Sequence, residues 1–207
     1  MIKLYTAAVC PFAHRARLAI SEKGVEHERI QIDLKNMPDW FRELSPNQSV
    51  PLLIHDDEKI WESLVVAQYI DEAFPGPALM PDSALGRARV RIAIETIGSK
   101  LPSPFYQAMT GKLEDAQAKL DELWETLVKG MSAEGPYWCG SQFTIADIVA
   151  YPWFERAPVV EAASKVTLKL PARLQNWLDA VSARPAVQKE RGDAKVYLEA
   201  FGLLAKH

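Results

Sequence analysis

Ile2-Lys3-Leu4-Tyr5 followed by Cys10-Pro11-Phe12-Ala13 is the stretch that decides the fold of the first third of the chain. The first run has the make-up of a short strand, and Pro11 suits the first turn of a helix, where its missing N–H costs nothing. That helix is predicted to run from Pro11 to Lys23 and to stop at Gly24, a residue at ease in the left-handed turn after a helix. Outward from there, Glu28 to Leu34 alternates strictly, with Ile30, Ile32 and Leu34 on one face and Arg29, Gln31 and Asp33 on the other. Pro51 to His55 and Lys59 to Glu62 read as two more strands around the turn-forming run His55-Asp56-Asp57-Glu58, and so short a connection predicts an antiparallel hairpin. Ser63 is expected to cap a helix reaching Phe74. The order is β-α-β, a loop segment, then β-β-α. A helical crossover permits parallel pairing of the first two strands, and the tight turn reverses the last two.

Pro75-Gly76-Pro77 and Pro81-Asp82-Ser83 interrupt any helix, so residues 76–84 read as a linker between a mixed domain, 1–75, and an all-helical one, 85–207. In the second part Leu113, Ala116, Leu120, Leu123 and Leu127 share one helix face, and Gly130 closes that helix. Thr144-Ile145-Ala146-Asp147 has the form of a capping box, with Phe143 and Ile148 as its hydrophobic staple. Pro171 opens another amphipathic helix carrying Leu174, Trp177, Leu178 and Val181, which Arg184-Pro185 stops. The whole sequence has 207 residues, 48% hydrophobic and 25% charged, with a net charge of −3. That balance is globular and gives no general positive field for a nucleic-acid backbone or an anionic membrane. Two cysteines, Cys10 and Cys139, are too few for a disulfide framework. With no apolar stretch of membrane-spanning length near the N-terminus, a cytoplasmic protein with no membrane partner is expected. His14, His27, His55 and His207 show no ligand spacing, so no metal is expected.

Cys10 falls where a strand hands over to a helix, facing free backbone N–H groups and the positive end of the helix dipole, a setting that favours thiolate over thiol. A dithiol oxidoreductase would have a second cysteine at the fourth position of this motif; here it is Ala13. With Cys139 far along the chain, an external thiol is the resolving group to expect, and glutathione is the abundant cytosolic one. Val50-Pro51 enters the third strand, and a cis peptide there would leave Val50's backbone open to pair with an extended peptide. Glu62 offers a carboxylate for an ammonium, and Ser63 a hydroxyl and helix N–H groups for a carboxylate. Together they suit the γ-glutamyl end of glutathione. Each feature has a plainer reading as well: Cys10 as a small core residue, Pro51 as a strand-edge proline, Ser63 as a simple helix cap.

These stretches, with Arg15 and Arg17, Ile32-Asp33-Leu34-Lys35-Asn36, Pro38-Asp39-Trp40-Phe41, Tyr69-Ile70-Asp71-Glu72 and Pro152-Trp153-Phe154-Glu155-Arg156, resemble the cytosolic glutathione transferases, most closely the omega class, over nearly the whole chain. The resemblance implies an α/β thioredoxin-like N-terminal domain plus an all-α C-terminal domain. It also implies glutathione as co-substrate, a homodimer, and glutathione-dependent thiol transfer and dehydroascorbate reduction through cysteine. Carried over by position, Cys10 is the nucleophile. Val50 and Pro51 meet the cysteinyl unit, Glu62 and Ser63 hold the γ-glutamyl end, and Phe12 lies against the site. Where the family often has a lysine near the glycyl carboxylate this chain has Met37, so that either Lys35 substitutes or the affinity for glutathione is lower. The second-substrate pocket is expected between the domains, with Trp153 and Arg156 contributing. Asp193-Ala194-Lys195 lacks the aromatic some members place there. Arg15 and Arg17 flank the active helix, where they would assist a thiolate electrostatically or, the reading preferred here, be solvated or paired with acidic side chains. Arg87, Arg89 and Arg91 would meet acidic groups across a dimer interface or stand in solvent. Two other readings stay open: a binding or regulatory protein of the same fold without turnover, and an enzyme that conjugates glutathione to electrophiles. In the latter, bound glutathione and not Cys10 is the nucleophile.

Overall fold

A computed structural model describes residues 1–204; His207 and its two predecessors lie outside the described residues. The chain forms two units, one of Met1–Leu79 and one starting at Met80, a division that falls inside the stretch read as linker. The first unit holds a four-stranded sheet of order β2-β1-β3-β4, made of β1 (Ile2–Thr6), β2 (Glu28–Gln31), β3 (Leu52–His55) and β4 (Glu58–Trp61). β1 is central and runs parallel to β2 but antiparallel to β3, and β3 and β4 form the hairpin expected from their short connection. Three helices accompany the sheet: α1 (Pro11–Glu22), α2 (Asp39–Leu44) and α3 (Ser63–Ala73).

Two elements differ from the sequence expectation, one for a local and one for a tertiary reason. β2 ends at Gln31, although the amide of Ile32 still donates to Thr6 O at 2.8 Å. Beyond it, Asp33 accepts from Lys35 N at 2.9 Å and from Asn36 Nδ2 at 3.1 Å. An aspartate that bonds the chain two residues on turns it away from the sheet, so Ile32 stays buried while Leu34 emerges 39% exposed. The segment read as loop contains α2. Pro38 caps it, and its one buried side chain, Phe41, packs on Tyr5 with ring centroids 5.6 Å apart. That contact is tertiary, and six residues are too few to display a helical period.

The second unit is helical: α4 (Ala84–Lys100), α5 (Pro102–Met109), α6 (Ala116–Lys129), α7 (Ile145–Phe154), α8 (Ala157–Ser164), α9 (Ala172–Ser182), α10 (Pro185–Glu190) and α11 (Ala194–Ala200). α6 starts later than the Leu113 spacing suggested, because Asp115 stands in the left-handed region at φ 50°. Gly130 caps its end as expected, and Pro185, besides following α9, opens α10. Every residue of α7 is buried, so this helix is the axis of the unit. Its capping box is present, and Asp147 does more than cap. One oxygen accepts from Trp138 N and Trp177 Nε1, both at 2.8 Å, the other from Thr144 N at 2.8 Å and Thr144 Oγ1 at 3.1 Å. Burial pushes the Asp147 carboxyl upward, and those four donors oppose the shift. Among the described residues no helix is long and apolar enough to cross a membrane.

Candidate active site

Cys10 occupies the cap position of α1 with extended backbone, φ −82° and ψ 119°. Its sulfur accepts the amide N–H of Ala13 at 3.4 Å and lies 3.9 Å from Val50 O. The first contact uses one of the four amides that a helix start leaves without intrahelical partners, so the sulfur sits in the positive field of the dipole. Cys10 is half-buried: it packs against the cluster that includes Ala13, Phe41 and Val50, and it also opens on a cleft. The Val50-Pro51 peptide is cis.

That cleft has a volume of about 410 Å³, and its walls include Cys10, Phe12, Val50, Pro51, Glu62 and Ser63, the residues singled out from sequence. Glu62 is the cap of α3 and holds φ 66° and ψ 117°, backbone that a side chain with a Cβ rarely adopts. Its carboxylate accepts from Asn47 Nδ2 at 3.1 Å. Ser63 is the first residue of α3, not its cap, and is 8% exposed.

The arginines correct the sequence reading. Arg15 is only 6% exposed, donates to Ser63 Oγ at 3.3 Å, and stands 4.8 Å from the Phe12 ring centroid. Burial lowers its pKa to about 10 while the charge of Cys10 works the other way, so the guanidinium stays positive at neutral pH. Arg17 is buried too, donating to Thr6 Oγ1 at 2.9 Å and Ala7 O at 3.0 Å, which ties β1 to α1 below the cysteine. Both lie on a helix that also buries Ala13, Ala16 and Ala19, and these small neighbours leave room for a long side chain to be enclosed.

Other expected site residues lie elsewhere. Lys35 is exposed and outside the cleft walls, whereas its neighbours Leu34 and Met37 are part of them. Trp153, 1% exposed, meets Phe105 edge-on; Arg156 is fully buried, stacks 4.3 Å over Tyr197 and donates to Pro152 O. Both belong to the interior of the helical unit. Asp193 caps α11 by accepting Lys195 N at 2.8 Å. Arg87, Arg89 and Arg91 are exposed. Asn47, Gln48 and Ser49 also wall the cleft and were not singled out from sequence. Ser45 holds this loop by accepting Ser49 N at 3.2 Å and donating to Ser49 O at 3.1 Å, a pattern that the run Ser45-Pro46-Asn47 hints at. Cys139 is in the helical unit, its thiol pushed up to about 11 by burial first and then by the nearby Asp147. Among the described residues no group of three or more His, Cys, Asp or Glu side chains is arranged to hold a metal.

The family model for the glutathione S-transferase N-terminal domain matches residues 4–78, and that for the glutathione S-transferase C-terminal domain matches 107–180. The chain belongs to the glutathione S-transferase family. Glutathione S-transferase omega-1 of the mouse (Mus musculus) is 32% identical over 98% of this chain and 85% of its own. Among solved structures, a rice glutathione S-transferase in complex with glutathione superposes with a TM-score of 0.84 at 27% identity, covering 98% of this chain and 97% of that one. Leishmania TDR1, a trimeric glutathione transferase, superposes with a TM-score of 0.86 at 26% identity over 99% of this chain, which spans 48% of that chain. This transferase is thus an enzyme with a thioredoxin-like first domain, a helical second domain and glutathione as co-substrate.

Proposed function

We propose that this transferase catalyses glutathione-dependent thiol transfer and dehydroascorbate reduction through Cys10. The observation that carries the reading is the position of the Cys10 sulfur at the start of α1, 3.4 Å from Ala13 N and in the wall of a cleft that also has Glu62 and Ser63. The omega-1 name of the mouse relative supports it. In the reaction, the Cys10 thiolate attacks the glutathione sulfur of a mixed disulfide, forms a Cys10–glutathione disulfide and expels the other thiolate. A second glutathione thiolate then attacks that disulfide, leaves as oxidised glutathione and returns the Cys10 thiolate. In dehydroascorbate reduction two reduced glutathiones supply the two electrons and two protons that give ascorbate, and end joined as oxidised glutathione. Glu62 receives the γ-glutamyl ammonium, Ser63 and the α3 amides its carboxylate, and Val50 the cysteinyl backbone. Arg15, charged and enclosed beside Ser63, favours anionic sulfur in the cleft. A homodimer belongs to the same reading and is checked by light scattering of the purified chain.

Incubation with oxidised glutathione is expected to give one adduct, on Cys10, that reduced glutathione removes, as read by peptide mass spectrometry. Cys10→Ser is expected to lose thiol transfer by at least about a hundredfold, since removal of a covalent nucleophile deletes the pathway it supports. Thiol transfer retained by Cys10→Ser overturns the reading. Absence of any adduct points to a protein of this fold without turnover.

A further inference from the structure

The strand order fixes where the parts of a bound tripeptide must fall. Glu62 and Ser63 follow β4, at one edge of the sheet; Cys10 follows the central β1, and Val50 precedes β3 beside it; Leu34 and Met37 follow β2, at the other edge. Four strands spaced about 4.8 Å apart set those edges about 14 Å from each other; three extended α-linked residues span about 10–11 Å, and the two extra chain carbons of a γ-linkage bring the tripeptide to roughly 13 Å. A γ-glutamylcysteinyl peptide anchored at Glu62 and Ser63, with its sulfur at Cys10, therefore ends over Leu34 and Met37.

The two ends of this cleft differ in charge. Among the described residues of its walls Glu62 is the only Asp, Glu, Lys or Arg, and the guanidinium of Arg15 lies behind Ser63, at that same end. Asn47, bonded to the Glu62 carboxylate at 3.1 Å, belongs to that end too, and at the other end the walls are the apolar Leu34 and Met37. Lys35, between Leu34 and Met37, is exposed and faces the electrostatic pull of Asp33, whose carboxylate is held below its ordinary range by the amide of Lys35 and by Asn36. A C-terminal carboxylate placed there loses water without gaining a counter-charge.

Resting on the thiol-transfer reading, we propose that this transferase does not read the C-terminal carboxylate of its thiol, and accepts glutathione capped there as an ester or amide about as well as glutathione itself. Met37 is the specificity-determining residue. The substrate class is then γ-glutamylcysteinyl peptides extended or capped at the glycyl end, and the free acid is one member of it.

The test uses the full chain and three thiols: glutathione, its glycyl monoethyl ester and its glycyl amide. A Cys10 adduct with oxidised glutathione is established first, since its absence overturns the thiol-transfer reading whatever the thiol preference. With the adduct present, KM values of ester and amide up to threefold that of glutathione support the inference. Values higher than that show that the carboxylate is recognised and overturn it. In Met37→Lys a new cation at the glycyl end is expected to lower KM for the free acid about two- to fivefold, the range of an exposed ion pair, and so to raise the ester-to-acid KM ratio. An unchanged ratio in a variant that still forms the Cys10 adduct overturns the assignment to Met37.

Discussion

Arg15 is a charge that sequence reasoning preferred to leave in solvent or on an acidic partner, and the fold encloses it. Its guanidinium is held between Ser63 Oγ and the Phe12 ring, within the electrostatic reach of Cys10. A positive group so enclosed is weakly screened by salt and acts on the nearby sulfur more strongly than a surface arginine would. Arg15→Met keeps much of the length and removes the charge. It is expected to slow iodoacetamide alkylation of Cys10 about tenfold, or about 1.4 kcal/mol in the barrier. An unchanged rate in the folded variant would limit Arg15 to packing. Cys139 gives the opposite case. With its thiol pushed up to about 11, roughly one molecule in a thousand carries the thiolate there at pH 8, and that fraction rises tenfold for each unit of pH. Alkylation followed by peptide mapping at pH 8 is expected to label Cys10 and spare Cys139; equal labelling of the two would contradict the burial that raises Cys139.

Within the elements, Asp147 has the widest role. It accepts two donors for the start of α7 and two that tie Trp138 and α9 to that start, so a single carboxylate joins three parts of the helical unit. Asp147→Ala leaves buried donors without an acceptor, each costing about 1–3 kcal/mol. The loss expected is at least about 3 kcal/mol, read from the urea midpoint with an unchanged slope, and a loss under about 1 kcal/mol would show that water replaces the carboxylate. The capping box was legible because its residue types and spacing are local, as were the proline that opens α1 and the turn between β3 and β4. Most of what sequence reasoning missed depends on partners distant along the chain, the local turn at Asp33 being the exception. α2 rests on Phe41 meeting Tyr5, the end of β2 on Asp33 folding back, and the burial of Arg15 on Ser63. Part of the site was legible for the same reason: Cys10, Val50-Pro51 and Glu62-Ser63 each sit at a strand or helix end marked by its neighbours. The Asn47–Ser49 wall has no such marker beyond its small polar residues, and Trp153 and Arg156 were read as lining when they are core.

For the whole molecule, the cleft walls all come from segments of the first unit that join strands to helices: the turn after β1, the stretch between β2 and α2, the loop before β3 and the junction of β4 with α3. Such connecting segments hold the site while the sheet supplies its rigidity, so ligand binding acts on their local opening before it acts on the strands. Glutathione at one hundred times its Kd adds about 2.7 kcal/mol to a folded state that alone binds it. For a chain of 207 residues, at about 2–4 °C per kcal/mol, the melting temperature is expected to rise by roughly 5–10 °C. Hydrogen exchange should show where that energy enters, with added protection at residues 34–37, 45–51 and 62–63 and least at the β1 amides, which the sheet already secures. The same shift in Cys10→Ser would separate recognition of the peptide from the disulfide chemistry, because the clamp at Glu62 and Ser63 does not involve sulfur. A wild-type chain whose melting temperature ignores glutathione, or whose protection appears only outside these segments, would contradict this cleft as the glutathione site.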